Sequence, residues 1–200
     1  MPLTSKDRAL RLIEKMGLAR PRDLEADGVS RAQLSRLVHK GLVIRQARGI
    51  YVVARHTPTE AHTLAQVGKR VPEAVFCLFT ALQFHNLTTQ SAAEVWIAVP
   101  EKARRPRLDY PRLRVARFSG PALTEGVEEH RVEGVVIRVY SPAKTVADCF
   151  KYRNKVGIDV AVEALRDFSR RHRGGANELA RFARICRVSR VMQPYLDAIA

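Results

Sequence analysis

SRAQLSRLVHKGLVIRQARGIYVV, residues 30–53, holds a capped amphipathic run, a glycine and two β-prone segments around a polar turn. Ser30 and Gln33 form a capping-box pattern, and Gly41 offers a C-terminal stop after a helix of about ten residues. At 100° per residue Leu34, Leu37 and Val38 share one face, Arg36, His39, Lys40 and Ala32 point the opposite way, and Gln33 and Ser35 lie at the flanks. LVIR and GIYVV then flank Gln46, Ala47, Arg48 and Gly49, where glycine can supply the positive φ of a tight hairpin.

Two further helices precede this stretch. Thr4 and Asp7 make another capping box, and Ala9, Leu10, Leu12, Ile13 and Met16 recur at helical spacing up to Gly17, which predicts a helix over residues 5–16. Pro21 suits a first helical turn, and Gly28 ends a short second helix. Three helices followed by a two-stranded hairpin is the order of a winged helix-turn-helix. In that geometry the third helix fits the major groove, with Arg31, Gln33, Ser35 and Arg36 facing base edges and His39 and Lys40 on the same outer face. Arg45 and Arg48 of the hairpin then lie along the adjacent backbone or minor groove.

Charge agrees with that placement. The chain has 35 Lys plus Arg against 20 Asp plus Glu, a formal net charge of +15, and residues 1–57 alone carry 12 basic and five acidic side chains. Such an excess attracts polyanions, nucleic acid above all. Cys77, Cys149 and Cys186 are scattered and odd in number, which fits reduced core residues rather than a disulfide framework. No segment has the apolar length of a signal peptide or membrane span, so the expectation is a cytoplasmic protein with no membrane association.

After residue 58 the grammar changes, giving an expected division into a DNA-binding domain at 1–57 and a second domain at 58–200. Pro58 marks a short linker, and TEAHTLAQVGKR reads as a helix capped by Thr59. AVFCLF, EVWIAV, RVARFS and VVIRVY read as strands with TALQFHNL as a short helix, so a mixed sheet spans about 70–140. SPAKTVADCF, IDVAVEALRDFSRRH, ANELARFARICR and SRVMQPYLDAI read as helices, the last interrupted by Pro194, and form a layer over about 141–200. The fold class is thus α+β: a winged helix followed by a mixed α/β domain with a C-terminal helical layer. EKARRPRLDYPRLRVAR, residues 101–117, holds seven basic residues and two prolines and reads either as a nucleic-acid-contacting loop or as a solvated β-connection.

Catalytic signatures are sparse. The chain has no GxxxxGK[ST] loop, GxSxG elbow or HExxH pair, and its histidines 39, 56, 62, 85, 130 and 172 show no ligand spacing, so no catalytic residue, metal or cofactor is expected. His85 reads as a half-buried helix-end residue. The alternative class is a winged-helix-targeted nucleic-acid-processing enzyme such as a metal-dependent nuclease, which would need carboxylates such as Asp109 or Asp148.

The segments KGLVIRQARGIYVV, TALQFHNL, EVWIAVP and VIRVYSPAKTVADCFKYRNKVGIDVAVEALRDF together resemble the AbiEi family of antitoxins and transcriptional regulators. That resemblance implies a DNA-binding winged helix joined to a C-terminal antitoxin domain. It implies repression of the protein's own promoter at inverted repeats in double-stranded DNA. It also implies a type IV toxin-antitoxin (abortive infection) system, in which a nucleotidyltransferase-like toxin, or that toxin's substrate, is counteracted and the antitoxin need not bind the toxin stably. Carried onto this chain, DNA binding falls on residues 30–53. The matching C-terminal segment offers Lys144, Asp148, Lys151, Arg153 and Lys155 as a partner surface. A stand-alone regulator without a toxin is the milder version of the same reading.

Overall fold

A computed structural model describes residues 4–199, which divide into two compact units. The first runs to Pro72 and also takes Arg131–Ile137; the second comprises Glu73–His130 and the described residues from Arg138 onward.

The first unit begins with α1 (Ser5–Met16), α2 (Pro21–Ala26) and α3 (Arg31–His39). Thr4 caps α1 in a complete capping box with Asp7, and the Ser30 hydroxyl accepts the Gln33 N–H at the start of α3. The hairpin follows as β1 (Val43–Ala47) and β2 (Ile50–Val53), antiparallel, with Gly49 at φ 74° in the turn. Its register slips at Gln46, between the Arg45↔Tyr51 and Ala47↔Ile50 pairs. Ala19 exchanges both backbone hydrogen bonds with Tyr51, at 2.9 Å each, adding a one-residue third strand. Ala9, Ile13, Leu24, Val29, Leu34, Leu37, Val43 and Val53 form the core, so each helix buries the stripe that its apolar periodicity marks.

α4 (His62–Arg70) completes the main segment of this unit. Its start differs from the expected Thr59 cap because Thr59 is engaged elsewhere: its N–H and its hydroxyl both donate to Glu133 Oε1, at 2.6 and 2.8 Å. The boundary expected near residue 58 therefore lies inside the first unit. Glu133 stands in a two-residue turn with Gly134, both at positive φ, and this turn abuts the end of α1.

The second unit contains β3 (Val75–Phe76), α5 (Leu78–Phe84), β4 (Val95–Pro100), β5 (Leu113–Phe118), α6 (Pro121–Thr124), β6 (Val127–Val132) and β7 (Val135–Tyr140), the facing ends of β6 and β7 counting with the first unit. The strand order is β5-β4-β3-β7-β6, with β4 parallel to β5, β3 antiparallel to β4 and β3 parallel to β7. The edge strand β6 is absent from the sequence reading because VEEHRV carries four polar side chains in six residues. AVFCLF supplies only a two-residue strand, since Leu78 already begins α5.

The helical layer comprises α7 (Pro142–Lys151), α8 (Arg153–Val156), α9 (Ile158–Arg171), α10 (Ala176–Ile185) and α11 (Ser189–Asp197). Pro194 lies inside α11 rather than breaking it, at an exposed position where the partnerless carbonyl one turn back can meet water. Cys77, Cys149 and Cys186 are free and buried, as expected of core residues. His85 caps α5 and its ring meets the Tyr140 carbonyl at 2.7 Å.

Candidate functional site

The outer face of α3 and the hairpin tip carry the expected basic side chains. Arg31, Ser35, Arg36, His39 and Lys40 are exposed on α3, as are Arg45 on β1 and Arg48 in the turn. Among the described residues, Arg36, Lys40, Arg45 and Arg48 have no carboxylate within ion-pair distance; the salt bridges of this unit use other cations. Arg36 makes one long contact, donating from Nε to the Ala32 carbonyl at 3.4 Å. Its guanidinium stays available.

Two of the expected base-facing residues are engaged internally. Arg31 pairs with Glu25, Nε to Oε1 at 2.8 Å, which neutralises it in place. Gln33 is half-buried and donates from its amide to the Ser5 carbonyl and hydroxyl at 3.0 and 3.1 Å, fastening α3 to the start of α1. This also explains why the Ser30 cap of α3 lacks the reciprocal half of its box: the Gln33 side chain points to α1. Gln33→Ala should lower the stability of the unit by ~0.5–1.5 kcal/mol, the usual worth of such a tie, read by urea unfolding.

The C-terminal cluster is corrected. Lys144 and Asp148 are each 0% exposed, so they belong to the core and cannot form a partner surface. Lys144 Nζ lies 2.5 Å from Asp148 Oδ2 and 4.0 Å from the centre of the Tyr140 ring, and Cys186 Sγ donates to Asp148 Oδ1 at 3.2 Å. Burial pushes the Asp148 carboxyl up from its ordinary range, against the opposing pull of Lys144 and Cys186. The two stand i,i+4 on α7 and pair inside the unit. Lys151 and Lys155 are exposed and Arg153 is half-buried, its guanidinium donating to the Phe150 carbonyl at 3.0 Å.

Residues 101–117 are wired partly to themselves. Arg117 donates to the carbonyls of Pro100, Glu101 and Ala103, and Arg105 to that of Leu113 at 2.6 Å, so these two cations brace the connection between β4 and β5. Arg114 stacks 4.5 Å over Trp96 and meets Glu94 at 3.4 Å. Lys102, Arg104, Arg107 and Arg112 remain exposed.

One cluster corrects the expectation that no histidine has a ligand partner. His56 Nε2 and His62 Nδ1 approach the same Glu133 oxygen, Oε2, at 2.9 and 2.6 Å, a grouping able to hold a metal ion. Burial raises the Glu133 carboxyl, but hydrogen bonds from Thr59, His62 and His56 outweigh it and bring it down to about 2. Sequence spacing could not find it, because 71 residues separate His62 from Glu133. Asp109 is exposed and Asp148 is buried.

Among the described residues no helix is long and apolar enough to cross a membrane. Residues 7–54 match a protein-family model described as transcriptional regulator, AbiEi antitoxin. No curated protein matches the chain.

Proposed function

We propose, from the match of residues 7–54 to the family model of AbiEi antitoxin transcriptional regulators, that this protein is a winged-helix DNA-binding repressor. The observation that supports it most is the set of outward cations on α3 and the hairpin, Arg36, Lys40, Arg45 and Arg48, none of them paired with a carboxylate among the described residues. A helix of nine residues fits the major groove, and the hairpin beside it lies along the phosphate backbone. Arg36 and Ser35 face base edges; His39, Lys40, Arg45 and Arg48 anchor phosphates. Arg31, tied to Glu25, joins the interface only if that pair opens, and Gln33 holds the helix in place.

Binding sites are inverted repeats in the protein's own promoter, and the second unit supplies the antitoxin activity against a nucleotidyltransferase-like toxin or its substrate. With Lys144 and Asp148 in the core, Lys151, Arg153 and Lys155 are what remains of the expected partner surface. A regulator without a toxin differs only in that second half.

The test is a salt titration of binding to the upstream region of the gene beside random DNA of equal length. A preference of ~10³ or more at physiological salt is expected. Arg36→Ala should cost ~1–3 kcal/mol on the specific site alone, whereas Arg48→Ala should weaken binding to all sequences and reduce the salt slope by about one phosphate contact. Equal losses on both DNAs for both variants would refute the division of roles. Equal binding of the unaltered protein to both DNAs would refute specific repression.

A further inference from the structure

We propose that His56, His62 and Glu133 form a binding site for one divalent transition-metal ion of the zinc class. Two imidazoles and a carboxylate are the donor set of open zinc sites, which leave further positions for water or another ligand. The three donor atoms all lie within 4.8 Å of one another. An ion at ~2.0–2.2 Å from each needs only that both imidazoles draw back slightly from Oε2.

The surroundings are built as a metal site's outer partners are built. Thr59 fixes the far oxygen of Glu133 with two hydrogen bonds, leaving Oε2 for the histidines. His62 has Gln46 Nε2 at 2.7 Å and Gln66 Nε2 at 3.0 Å from its outer nitrogen, so two amide N–H groups compete for one lone pair. Gln46 Oε1, meanwhile, is buried without a partner. Turning both Gln46 and Gln66 end for end ends that competition, because an amide oxygen of each then faces Nε2–H of His62, while the buried outer position of Gln46 stays without a partner. This tautomer puts the lone pair of His62 on Nδ1, facing Glu133, which is the form a metal takes. Gln46 stands at the register slip of β1, a local device that re-aims a side chain. Glu133 is itself held at φ 47°, a strained value for a residue other than glycine.

An imidazolium ion pair with Glu133 is the competing occupant of the same geometry, and metal titration separates the two. Full-length protein is titrated with Co²⁺ as a spectroscopic probe and with Zn²⁺ while thermal unfolding is followed. Expected are visible d–d bands without a thiolate charge-transfer band, and a rise in Tm of roughly 5 °C or more with saturating Zn²⁺. His62→Gln and His56→Asn should each weaken binding by ~100-fold or more. Gln46→Leu, which touches no metal, should weaken it by ~10–100-fold. Glu133→Gln keeps the side-chain shape and tests the carboxylate should a histidine variant fold poorly. Absent bands with an unchanged Tm, or binding that survives both histidine variants, would overturn the site and leave an ion pair alone. These readouts involve no DNA, so the outcome is independent of the repressor reading.

Discussion

Asp148→Ala is expected to destabilise the second unit by ~3–5 kcal/mol, because it strands the Lys144 ammonium in the core with its charge-paired oxygen gone. Both side chains are 0% exposed, and the lysine is enclosed by the Tyr140 ring at 4.0 Å and the Phe118 ring at 4.9 Å. No water-facing route lets the ammonium keep its hydration. Removing both charges tells a different story. The double variant Lys144→Met with Asp148→Leu restores apolar packing in a helix whose residues from Ala143 to Phe150 are all buried, and should recover most of the loss. Urea unfolding of the three proteins decides the matter. A single-variant loss below ~1 kcal/mol would show that the lysine reaches solvent and that the pair is incidental. The antitoxin activity proposed for the second unit should fall with stability in the single variant and return in the double one, which a direct partner-contact role would not allow.

Gly17→Ala should lower the stability of the first unit by ~2–5 kcal/mol. Gly17 has φ 63°, and a Cβ built there would stand 1.6 Å from the Glu133 carbonyl oxygen. Gly134 faces it in turn, with its own Cβ position 2.7 Å from the backbone of Met16. Two main chains press together with no space for a methyl on either. Gly41→Ala is the matched control: its φ is 67°, but nothing lies within 4 Å of the added carbon. The control should cost only the left-handed conformation, ~1–2 kcal/mol. Equal losses in the two variants, measured by thermal melts, would mean that the turn yields and that the close approach carries no weight. A larger loss at Gly17 shows that the turn bearing Glu133 is clamped against α1.

The N-terminal elements were legible because their signals are local. Thr4, Ser30, Gly17 and Gly49 each mark an end within a few residues of the pattern they bound, and the observed α1 begins and ends where its capping box and glycine place it. Signals acting across the chain were not legible. Thr59 looks like a helix cap until Glu133 takes its hydroxyl, and His56 and His62 look dispersed until the same carboxylate draws them together. Lys144 and Asp148 read as surface charges from the sequence, since charged helix residues usually are. Lys144, Asp148 and Lys151 share one side of PAKTVADCFK, so helical periodicity points that side outward, and what meets it, Cys186 at the end of α10, lies 38 residues away. The outward cations of α3 were placed correctly on the surface, while the inward turn of the Gln33 amide depended on Ser5, 28 residues away.

The first unit is written in two separate passages of the chain, since Arg131–Ile137 folds with the segment ending at Pro72. A genetic crossover after codon 72 would therefore transfer the helices and hairpin but leave behind the carboxylate that gathers His56, Thr59 and His62. Exchange of the N-terminal module between related genes is constrained accordingly. The smallest heritable block that carries it whole extends through codon 137, and brings most of the sheet along.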